Sequence, residues 1–444
     1  MSASWRCCCC RPCGPWPLDH FGEFLASDEF LVRGLGSRTR VSGIGAPVIA
    51  VAKGAEASLT GALPLTVVLQ LEGGGLRDLG PAPCRATLHV FSPLTMKYPV
   101  AGRRQVPLEA DYSAPLSYTL NQSQIWDLGM RNFLNSPFQK LGKIHLGQPF
   151  QPDKIPVLFV HGTMSSYVTW TEMWNTLQGD EFFRRHYQAW FYLYDSGKPL
   201  MYSARELEQA VAAQIKALDP EGRNPRLREL VVVGHSQGGL LTKMLVLDTG
   251  DTMVRAFTGK TLAELKLSAH TKAEIRNLTV FTPRPEVRRV VFICTPHRGS
   301  YMASSLARRV ARKMISLSVW IAQSTTEIAR ATASLQLSTD WKYTPQTTSI
   351  DGMSPHNPAL SAIAKLPLAP GVRGNSIIAV ADLAHPENSG DGVVRYASAH
   401  LDGLESEFLV QDEHSCLGNP LVIEEVRRIL HQHWEACSAA PGPP

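Results

Sequence analysis

One serine in the sequence has the neighbours that are typical of a nucleophile. The segment "VVVGHSQGGLL" (231–241) runs from an apolar strand candidate into a helix-compatible stretch, with Ser236 at the turn. A strand that passes directly into a helix needs a tight turn with strained backbone angles. Glycines two residues before and two residues after Ser236 remove side chains that would collide there. G-x-S-x-G alone is a weak signal, but in this context it predicts that Ser236 is a nucleophile.

A serine hydroxyl needs a base to accept its proton and an acid to orient that base. On a strand–turn–helix nucleophile of this kind, the acid and then the histidine follow on loops after later strands. The loop after the strand candidate "SEFLV" contains His414 as its only histidine. His385 and His400 precede that strand and compete only if the strand is wrongly predicted. His414 is therefore the predicted base, and His400 is the next candidate.

The acid has more than one candidate. The loop after the strand candidate "NSIIAV" contains Asp382, Glu387 and Asp391. Asp391 is favoured because glycines flank it, in a loop that can bend its carboxylate toward the imidazole. Asp382 stays open as the alternative acid because it lies closer to the end of the strand.

An acyl carbonyl oxygen becomes an anion in the tetrahedral intermediate and needs hydrogen-bond donors already in position. One predicted donor is the backbone N–H of Gln237, directly after the nucleophile. The second should come from the loop "HGTMSS" (161–166), which follows the strand candidate "IPVLFV". Because Gly162 lets the backbone come close, Thr163 is the predicted second donor and Met164 is the alternative.

Six apolar strand candidates must position these residues. They alternate with helical stretches and lie at 155–160, 187–194, 229–233, 287–293, 375–380 and 406–410. Unbroken apolar strands separated by helices indicate a mostly parallel sheet covered on both faces, which is the α/β class. Ser203 and Glu206 have the spacing of a capping box, which predicts that a helix opens at Ser203.

The preceding part of the chain has a different pattern. Residues 1–20 are rich in Cys and Pro and are predicted to be a disordered tail. Residues 40–125 show short β-type runs, "GAPVIAVA", "LPLTVVLQLEG", "CRATLHVFSP" and "RRQVPLEADY", separated by turn residues. Their spacing predicts a small β-rich accessory region of antiparallel strands, such as a sandwich.

Four motifs resemble those of a known family. The segments "PVLFVHGTMSS", "GHSQGG", "CTPHRGS" and "SGDGVV", in this order, look like an α/β-hydrolase of the lipase and carboxylesterase group. The similarity is nearest to bacterial-type serine esterases whose nucleophile motif is G-H-S-[MQ]-G-G. The resemblance implies the α/β-hydrolase fold and assigns the nucleophile to Ser236, the acid to Asp391 and the base to His414. It likewise implies oxyanion amides on Thr163 and Gln237.

The resemblance covers residues 150–435, the predicted catalytic domain. His297, in "CTPHRGS", matches a segment such families keep beside the active site, and we interpret it as a structural hydrogen-bonding residue. Two insertions depart from the pattern, at 248–286, with a helix predicted over 262–275, and at 301–370. Either insertion is placed to act as a cap, which is where acyl-chain selectivity is usually set.

Composition and charge restrict the kinds of partner that this chain is expected to bind. The excess of 44 basic over 39 acidic residues is small and scattered, which argues against nucleic-acid binding. No apolar run is long enough to cross a bilayer, and the start lacks the apolar segment of a signal peptide. Five cysteines fall within residues 7–13, where S-acylation, soft-metal binding, a leader remnant and a tail without a role all stay open. The expected location is cytoplasmic, or at a membrane through this cluster as a peripheral association.

The sequence therefore predicts a serine hydrolase that cleaves carboxylic esters through an acyl-enzyme, without a cofactor. Short to medium acyl chains are expected because the first insertion is densely charged, unlike a lid that opens on oil. An interfacial triacylglycerol lipase, a thioesterase or acyltransferase, and a non-catalytic binding protein of this fold stay as alternatives. No metal site is predicted, because His431 and His433 are two apart and would point to different helix faces. The oligomeric state is not predicted.

Overall fold

The computed structural model describes residues 18–53, 61–71, 86–95, 100–101, 104–122, 141–300 and 349–439. The N-terminal cysteine cluster and residues 301–348 of the second predicted insertion lie outside the described residues. The chain divides into two compact units. One unit consists of Met1–Trp126, Leu146–Gln151 and Thr171–Gln188, and the other of Asp127–His145, Pro152–Trp170 and Ala189–Pro444.

The first unit is built on a four-stranded antiparallel sheet with the order β1-β3-β4-β5. In its described residues, this unit contains eight strands, four of which have only two residues. They are β1 (Phe21–Ala26), β2 (Arg40–Val41), β3 (Ala46–Ala52), β4 (Ala62–Leu71), β5 (Ala86–Phe91), β6 (Val100–Ala101), β7 (Arg104–Gln105) and β8 (Ala110–Asp111). Its helices are α1 (Ser113–Gln122), α2 (Thr171–Gly179) and α3 (Glu181–His186).

The predicted antiparallel strands are present, but the described residues form the four-stranded sheet, with α1 packed on β3 and β4, and two separate antiparallel pairs, β2 with β8 and β6 with β7, not a sandwich. The sheet already begins at Phe21, ahead of the predicted start at residue 40. The predicted strand over "RRQVPLEADY" is wrong, since only β7 and β8 form there. Pro107 lies between them and has no N–H to donate to a ladder.

The second unit contains most of a seven-stranded sheet with the order β15-β14-β13-β12-β10-β11-β9. The strands are β9 (Lys143–Leu146), β10 (Ile155–Val160), β11 (Tyr187–Leu193), β12 (Leu230–His235), β13 (Val287–Ile293), β14 (Arg373–Val380) and β15 (Ser406–Gln411). The five neighbours from β15 to β10 pair in parallel. Every residue of β10, β11 and β12 is buried, as expected for strands covered on both faces.

The helices of this unit follow the strands in the order expected of an α/β fold. They are α4 (Leu200–Leu218), α5 (Gln237–Met244), α6 (Thr252–Thr258), α7 (Ala269–Thr279), α8 (Ser349–Gly352), α9 (Pro358–Ala364), α10 (Tyr396–Ala399) and α11 (Pro420–Ala439). The six predicted strands are present within two residues of their expected bounds, and the predicted α/β fold with a mostly parallel central sheet is confirmed. No helix in the described part of the chain is both long and apolar enough to span a membrane.

The predicted start of α4 is wrong. The helix begins at Leu200, because the N–H groups of Tyr202 and Ser203 already donate to the carbonyl oxygen of Pro199. Ser203 is buried in the first turns, and its hydroxyl has no partner among the described residues. The Glu206 carboxylate accepts a hydrogen bond from the Lys198 ammonium at 2.6 Å. The residues with the capping-box spacing therefore lie inside the helix and not at its start.

The first predicted insertion, 248–286, folds as two short helices. The single helix predicted over 262–275 is wrong, because the Ser268 hydroxyl accepts the N–H of Thr271 and caps a helix that begins at Ala269. Leu262 and Leu265 pack instead into a small apolar cluster with Val254. Helix α6 packs against α9, and α7 packs against α4. The role of the segment as a cap stays a prediction.

Candidate active site

The turn between β12 and α5 holds Ser236 in a strained conformation. Ser236 has φ = 53° and ψ = −124°, a backbone geometry that non-glycine residues rarely adopt. Its N–H donates to the carbonyl oxygen of Ile293 on the neighbouring strand at 2.9 Å, which anchors the turn to the sheet. A Cβ on Gly234 would lie 2.5 Å from the Thr242 hydroxyl, and one on Gly238 would lie 2.2 Å from the Val160 carbonyl oxygen. The two flanking glycines are therefore required by close backbone approach.

The structure brings the predicted nucleophile, base and acid together, although they come from three separate segments of the chain. The Ser236 hydroxyl lies 2.9 Å from Nε2 of His414. The other ring nitrogen of His414, Nδ1, lies 2.7 Å from Oδ2 of Asp391. If Nδ1 carries the proton, it donates to the carboxylate and leaves the lone pair of Nε2 facing the hydroxyl. This is the arrangement that a serine nucleophile and its general base require.

Asp391 is fixed on both carboxylate oxygens. Oδ2 accepts from His414, and Oδ1 accepts the main-chain N–H groups of Val393 at 2.8 Å and Val394 at 2.6 Å. Its side chain is 1% exposed. Burial acts to raise the pKa of Asp391, but the hydrogen bond and charge of His414 and the two N–H groups outweigh it, so the pKa lies below its usual value. The carboxylate is therefore ionised, as an orienting acid must be.

The alternative acid does not reach the imidazole. Asp382 is exposed and binds His385 Nδ1 at 3.2 Å and the N–H of Ala384 at 2.8 Å. The alternative base, His400, lies with its two ring nitrogens facing the carboxylates of Glu407 and Asp402. Neither alternative is part of the hydrogen-bonded set at Ser236.

Two backbone amides at the nucleophile turn and in the neighbouring loop have no acceptor in the described part of the chain. Among the residues that the structure describes, the N–H groups of Thr163 and Gln237 have no hydrogen-bond partner. The N–H of Met164, the alternative donor, already donates to the Ser196 hydroxyl at 2.9 Å. The Thr163 hydroxyl donates to Oε1 of Gln237 at 2.6 Å, which links the two segments that carry the free amides.

The loop that carries Thr163 is held against the nucleophile by a buried histidine. His161 Nδ1 lies 2.9 Å from the carbonyl oxygen of Gly162, and the Tyr194 hydroxyl donates to the His161 carbonyl oxygen at 3.0 Å. Burial lowers the pKa of His161 to about 4, so the ring is neutral at neutral pH and Nδ1–H donates. A Cβ on Gly162 would lie 3.0 Å from Cβ of Ser236, which shows how closely this loop approaches.

Sequence reasoning missed the groups that support His414. Nε2 of His235, directly before the nucleophile, lies 2.9 Å from the main-chain oxygen of His414, and burial, followed by the neighbouring His414, lowers the pKa of His235 to about 3. The Cys294 thiol lies within 4.8 Å of the donor atoms of Asp391 and His414, and 3.5 Å from the Cys416 thiol. His235 was visible within "GHSQGG", but its partner is 179 residues away, so no local signal assigns it.

The His297 ring makes none of the expected hydrogen bonds to the residues that the structure describes. The ring is fully buried against the edge of Phe292, and neither nitrogen has a partner among the described residues. Burial first, and then the charges of Lys243 and Arg298, hold the pKa of His297 well below its usual value. The prediction of a hydrogen-bonding role is wrong for the described part of the chain, because the ring packs as a neutral aromatic group.

The residues at Ser236 include three side chains of the types that bind metal ions. Cys294, Asp391 and His414 each place a ligand atom within 4.8 Å of the others. Asp391 and His414 already face each other through one hydrogen bond, and Nε2 of His414 faces the serine hydroxyl. The set therefore fits proton transfer through His414, and a metal at these atoms would break both hydrogen bonds.

No family model matches the chain, and no curated protein matches it. Solved structures to which it is similar include the mature form of the Bacillus licheniformis lipase BlEst2, at 16% identity, covering 66% of this chain and 99% of that chain, with a TM-score of 0.39. The metagenomic carboxyl esterase MGS0156 is 15% identical, covering 64% of this chain and 77% of that chain, with a TM-score of 0.34. EstA from Clostridium botulinum is 12% identical, covering 63% and 87% respectively, with a TM-score of 0.38. At these identities and TM-scores, only the geometry of the site indicates what the chain does.

Proposed function

We propose that this chain is a serine hydrolase of carboxylic esters. The observation that carries the proposal is the continuous hydrogen-bonded series from the Ser236 hydroxyl through His414 to the buried carboxylate of Asp391. A strained backbone at Ser236 and two unpaired amides beside it support the same reaction class. A protein that only binds a ligand needs none of these features in combination.

In the first half of the reaction, Ser236 Oγ attacks the ester carbonyl carbon while Nε2 of His414 accepts the hydroxyl proton. Asp391 keeps the imidazole in the tautomer that presents a lone pair to the serine, and it stabilises the imidazolium that forms. The carbonyl oxygen becomes negatively charged and accepts the N–H groups of Thr163 and Gln237. His414 then protonates the leaving alcohol, which departs and leaves an acyl group on Ser236.

In the second half, a water molecule takes the place of the alcohol. His414 accepts a proton from that water, whose oxygen attacks the acyl carbon. The same two amides stabilise the second tetrahedral intermediate. The carboxylic acid leaves, and the proton returns from His414 to Ser236. No step of this reaction requires a cofactor.

Short to medium acyl chains are the proposed substrates. The segment 248–286 carries eleven charged side chains distributed along it (Asp248, Asp251, Arg255, Lys260, Glu264, Lys266, Lys272, Glu274, Arg276, Arg284 and Glu286). A cover that lies open on an oil surface needs a large apolar face instead. The expected activity is therefore higher on dissolved esters than on emulsified triglyceride.

The proposal is tested with the purified chain and the Ser236→Ala variant on p-nitrophenyl esters of increasing acyl length. We expect hydrolysis by the parent, highest for short and medium chains, and loss of it in the variant. A fluorophosphonate should add one adduct to the parent and none to the variant, as judged by intact mass. A rate jump at the solubility limit of a triglyceride would point to an interfacial lipase, and labelling without ester hydrolysis would point to a thioesterase or acyltransferase. Absence of both labelling and hydrolysis in the folded parent would reject the proposal in favour of a binding protein.

A further inference from the structure

A second group of chemically active side chains lies where β12 begins, at the end opposite to Ser236. Glu229 directly precedes β12, and His433 and Cys437 belong to the C-terminal helix α11. One ligand atom from each of the three residues lies within 4.8 Å of the others. The proposed ester hydrolysis uses none of them.

The spacing on α11 explains how two of these donors meet. Residues four apart on a helix lie on the same face, so His433 and Cys437 project together. The Cys437 thiol lies 3.6 Å from Nε2 of His433 and donates to Oε2 of Glu229 at 3.2 Å. Nε2 of His433 also lies 3.0 Å from the main-chain oxygen of Glu229. His431, which the sequence analysis paired with His433, is not a member of this group.

These separations match those of ligands around one zinc ion. Zinc binds thiolate at about 2.3 Å and imidazole or carboxylate at about 2.0–2.2 Å in tetrahedral geometry. Two such ligands then lie about 3.5 Å from each other. The observed separations of Sγ from Nε2 and from Oε2, 3.6 Å and 3.2 Å, bracket that value. The donor set of one sulfur, one nitrogen and one oxygen suits Zn²⁺ better than Mg²⁺ or Ca²⁺, which prefer oxygen ligands.

We propose that Glu229, His433 and Cys437 bind one Zn²⁺ ion as its three protein ligands and so tie α11 to the start of β12. His433 is 3% exposed, whereas Glu229 and Cys437 are half-buried, so the group is reachable from solvent while its nitrogen ligand is fixed. On binding, the S–H bond of Cys437 breaks and its proton passes to solvent, while Nε2 of His433 gives up the proton that it shares with the main-chain oxygen of Glu229 and the ring takes one at Nδ1, so that S–Zn and N–Zn bonds form. The fourth ligand position is left to a solvent molecule.

The charges around the group allow a divalent cation. The Glu229 carboxylate and the Cys437 thiolate together supply two negative charges against the two positive charges of Zn²⁺. Arg289, which is buried nearby, is paired with the carboxylate of Glu405. The guanidinium of Arg226 stacks on the ring of Trp434, 4.5 Å from its centroid.

The experiment uses the full chain in which the five cysteines within residues 7–13 are replaced by serine, because that cluster is itself a candidate for soft metals. Co²⁺, added to the reduced and metal-free protein, reports thiolate ligation through a near-ultraviolet charge-transfer band. We expect one equivalent of Co²⁺ with this band, displaced by Zn²⁺, and a higher Tm with Zn²⁺ bound. Cys437→Ser should abolish the band and the Tm increase, and Glu229→Gln should weaken Co²⁺ binding by about tenfold or more.

His431→Ala is the matched control, since it alters an imidazole on the same helix outside the group. It should retain the band and the Tm increase. Circular dichroism of each variant verifies that it is folded. The proposal is overturned if the parent shows no thiolate band, or if the band persists at equal intensity in Cys437→Ser.

Discussion

Two histidine–carboxylate pairs in this protein have the same contact distance and different surroundings. Nδ1 of His414 lies 2.7 Å from Asp391, and Nδ1 of His400 lies 2.7 Å from Glu407. Nε2 of His414 faces the Ser236 hydroxyl, whereas Nε2 of His400 faces a second carboxylate, that of Asp402, at 3.2 Å. The carboxylate side chain is 1% exposed at Asp391 and 23% exposed at Glu407.

The difference shows that a histidine–acid contact does not by itself make a general base. A base needs one ring nitrogen free to accept a proton, and His414 has one. In His400 both nitrogens face acceptors, which favours the doubly protonated ring. Burial acts to lower the pKa of His400, but Glu407 and Asp402 outweigh it and raise the pKa above its usual value. The two pairs therefore differ in their capacity to accept a proton, because Nε2 has a different partner in each.

The largest expected effect on kcat comes from removing the nucleophile or the base. Ser236→Ala and His414→Ala should each lower kcat by about six orders of magnitude, and the double variant should add little, because the residues act as a unit. His400→Ala, the matched control, should stay within about twofold of the parent. Steady-state hydrolysis of a soluble p-nitrophenyl ester measures all four variants. Near-full activity in His414→Ala would show that the base is wrongly assigned.

The next effect separates the two acids. Asp391→Asn should lower kcat by about four orders of magnitude, because the imidazole loses the acceptor that fixes its tautomer. Asp382→Asn should leave kcat almost unchanged, since Asp382 is exposed and binds His385. Paired kinetics with matched Tm values test the ranking, and a reversed order would move the acid to Asp382.

A smaller effect concerns the support of the oxyanion amides. Thr163→Val removes the 2.6 Å hydrogen bond to Oε1 of Gln237 while keeping the shape of the side chain. We expect kcat to fall by about tenfold, less than the loss of a direct oxyanion donor, with KM little changed. Thr169→Val, which alters an exposed residue near the same loop, should have no such effect. Equal losses in the two variants would contradict a specific positioning role for Thr163.

The smallest effect concerns stability rather than rate. The pKa of His161 is lowered to about 4 by burial, whereas an unfolded histidine titrates near 6.5. Above about pH 6.5 neither state is protonated; as the pH falls toward 4, only the unfolded chain gains the proton, and the free energy of unfolding decreases. His161→Asn should reduce this acid slope by about 1.4 kcal/mol per pH unit.

Chemical denaturation at several pH values measures the slope. His400→Gln is the contrasting variant, because the raised pKa of His400 makes the folded state bind the proton more tightly. Its replacement should remove a stabilisation that is present below about pH 6.5 and is lost at higher pH. The same sign of change in both variants would contradict the comparison.

The apolar strands of the parallel sheet and the position of the nucleophile could be predicted from the sequence alone. Unbroken apolar runs predict buried strands because each residue of a covered parallel strand needs an apolar side chain. The glycines around Ser236 are readable because the close approach they permit occurs within a few residues of the turn. The order of serine, acid and histidine along the chain restricted the partners to two loops, those that contain Asp391 and His414.

Which of the candidates within those loops come together depends on the three-dimensional fold. Asp391 and Asp382 belong to one loop, and the choice depends on how the Val393 and Val394 amides bind the Asp391 carboxylate and turn it toward His414. Met164 differs from Thr163 only because Ser196, distant in the chain, accepts its N–H. Two further features could not be predicted for the same reason: the start of α4, and the grouping of Glu229 with His433 and Cys437. Each depends on contacts between atoms whose positions are set by packing of the whole sheet and its helices, which periodicity and spacing do not encode.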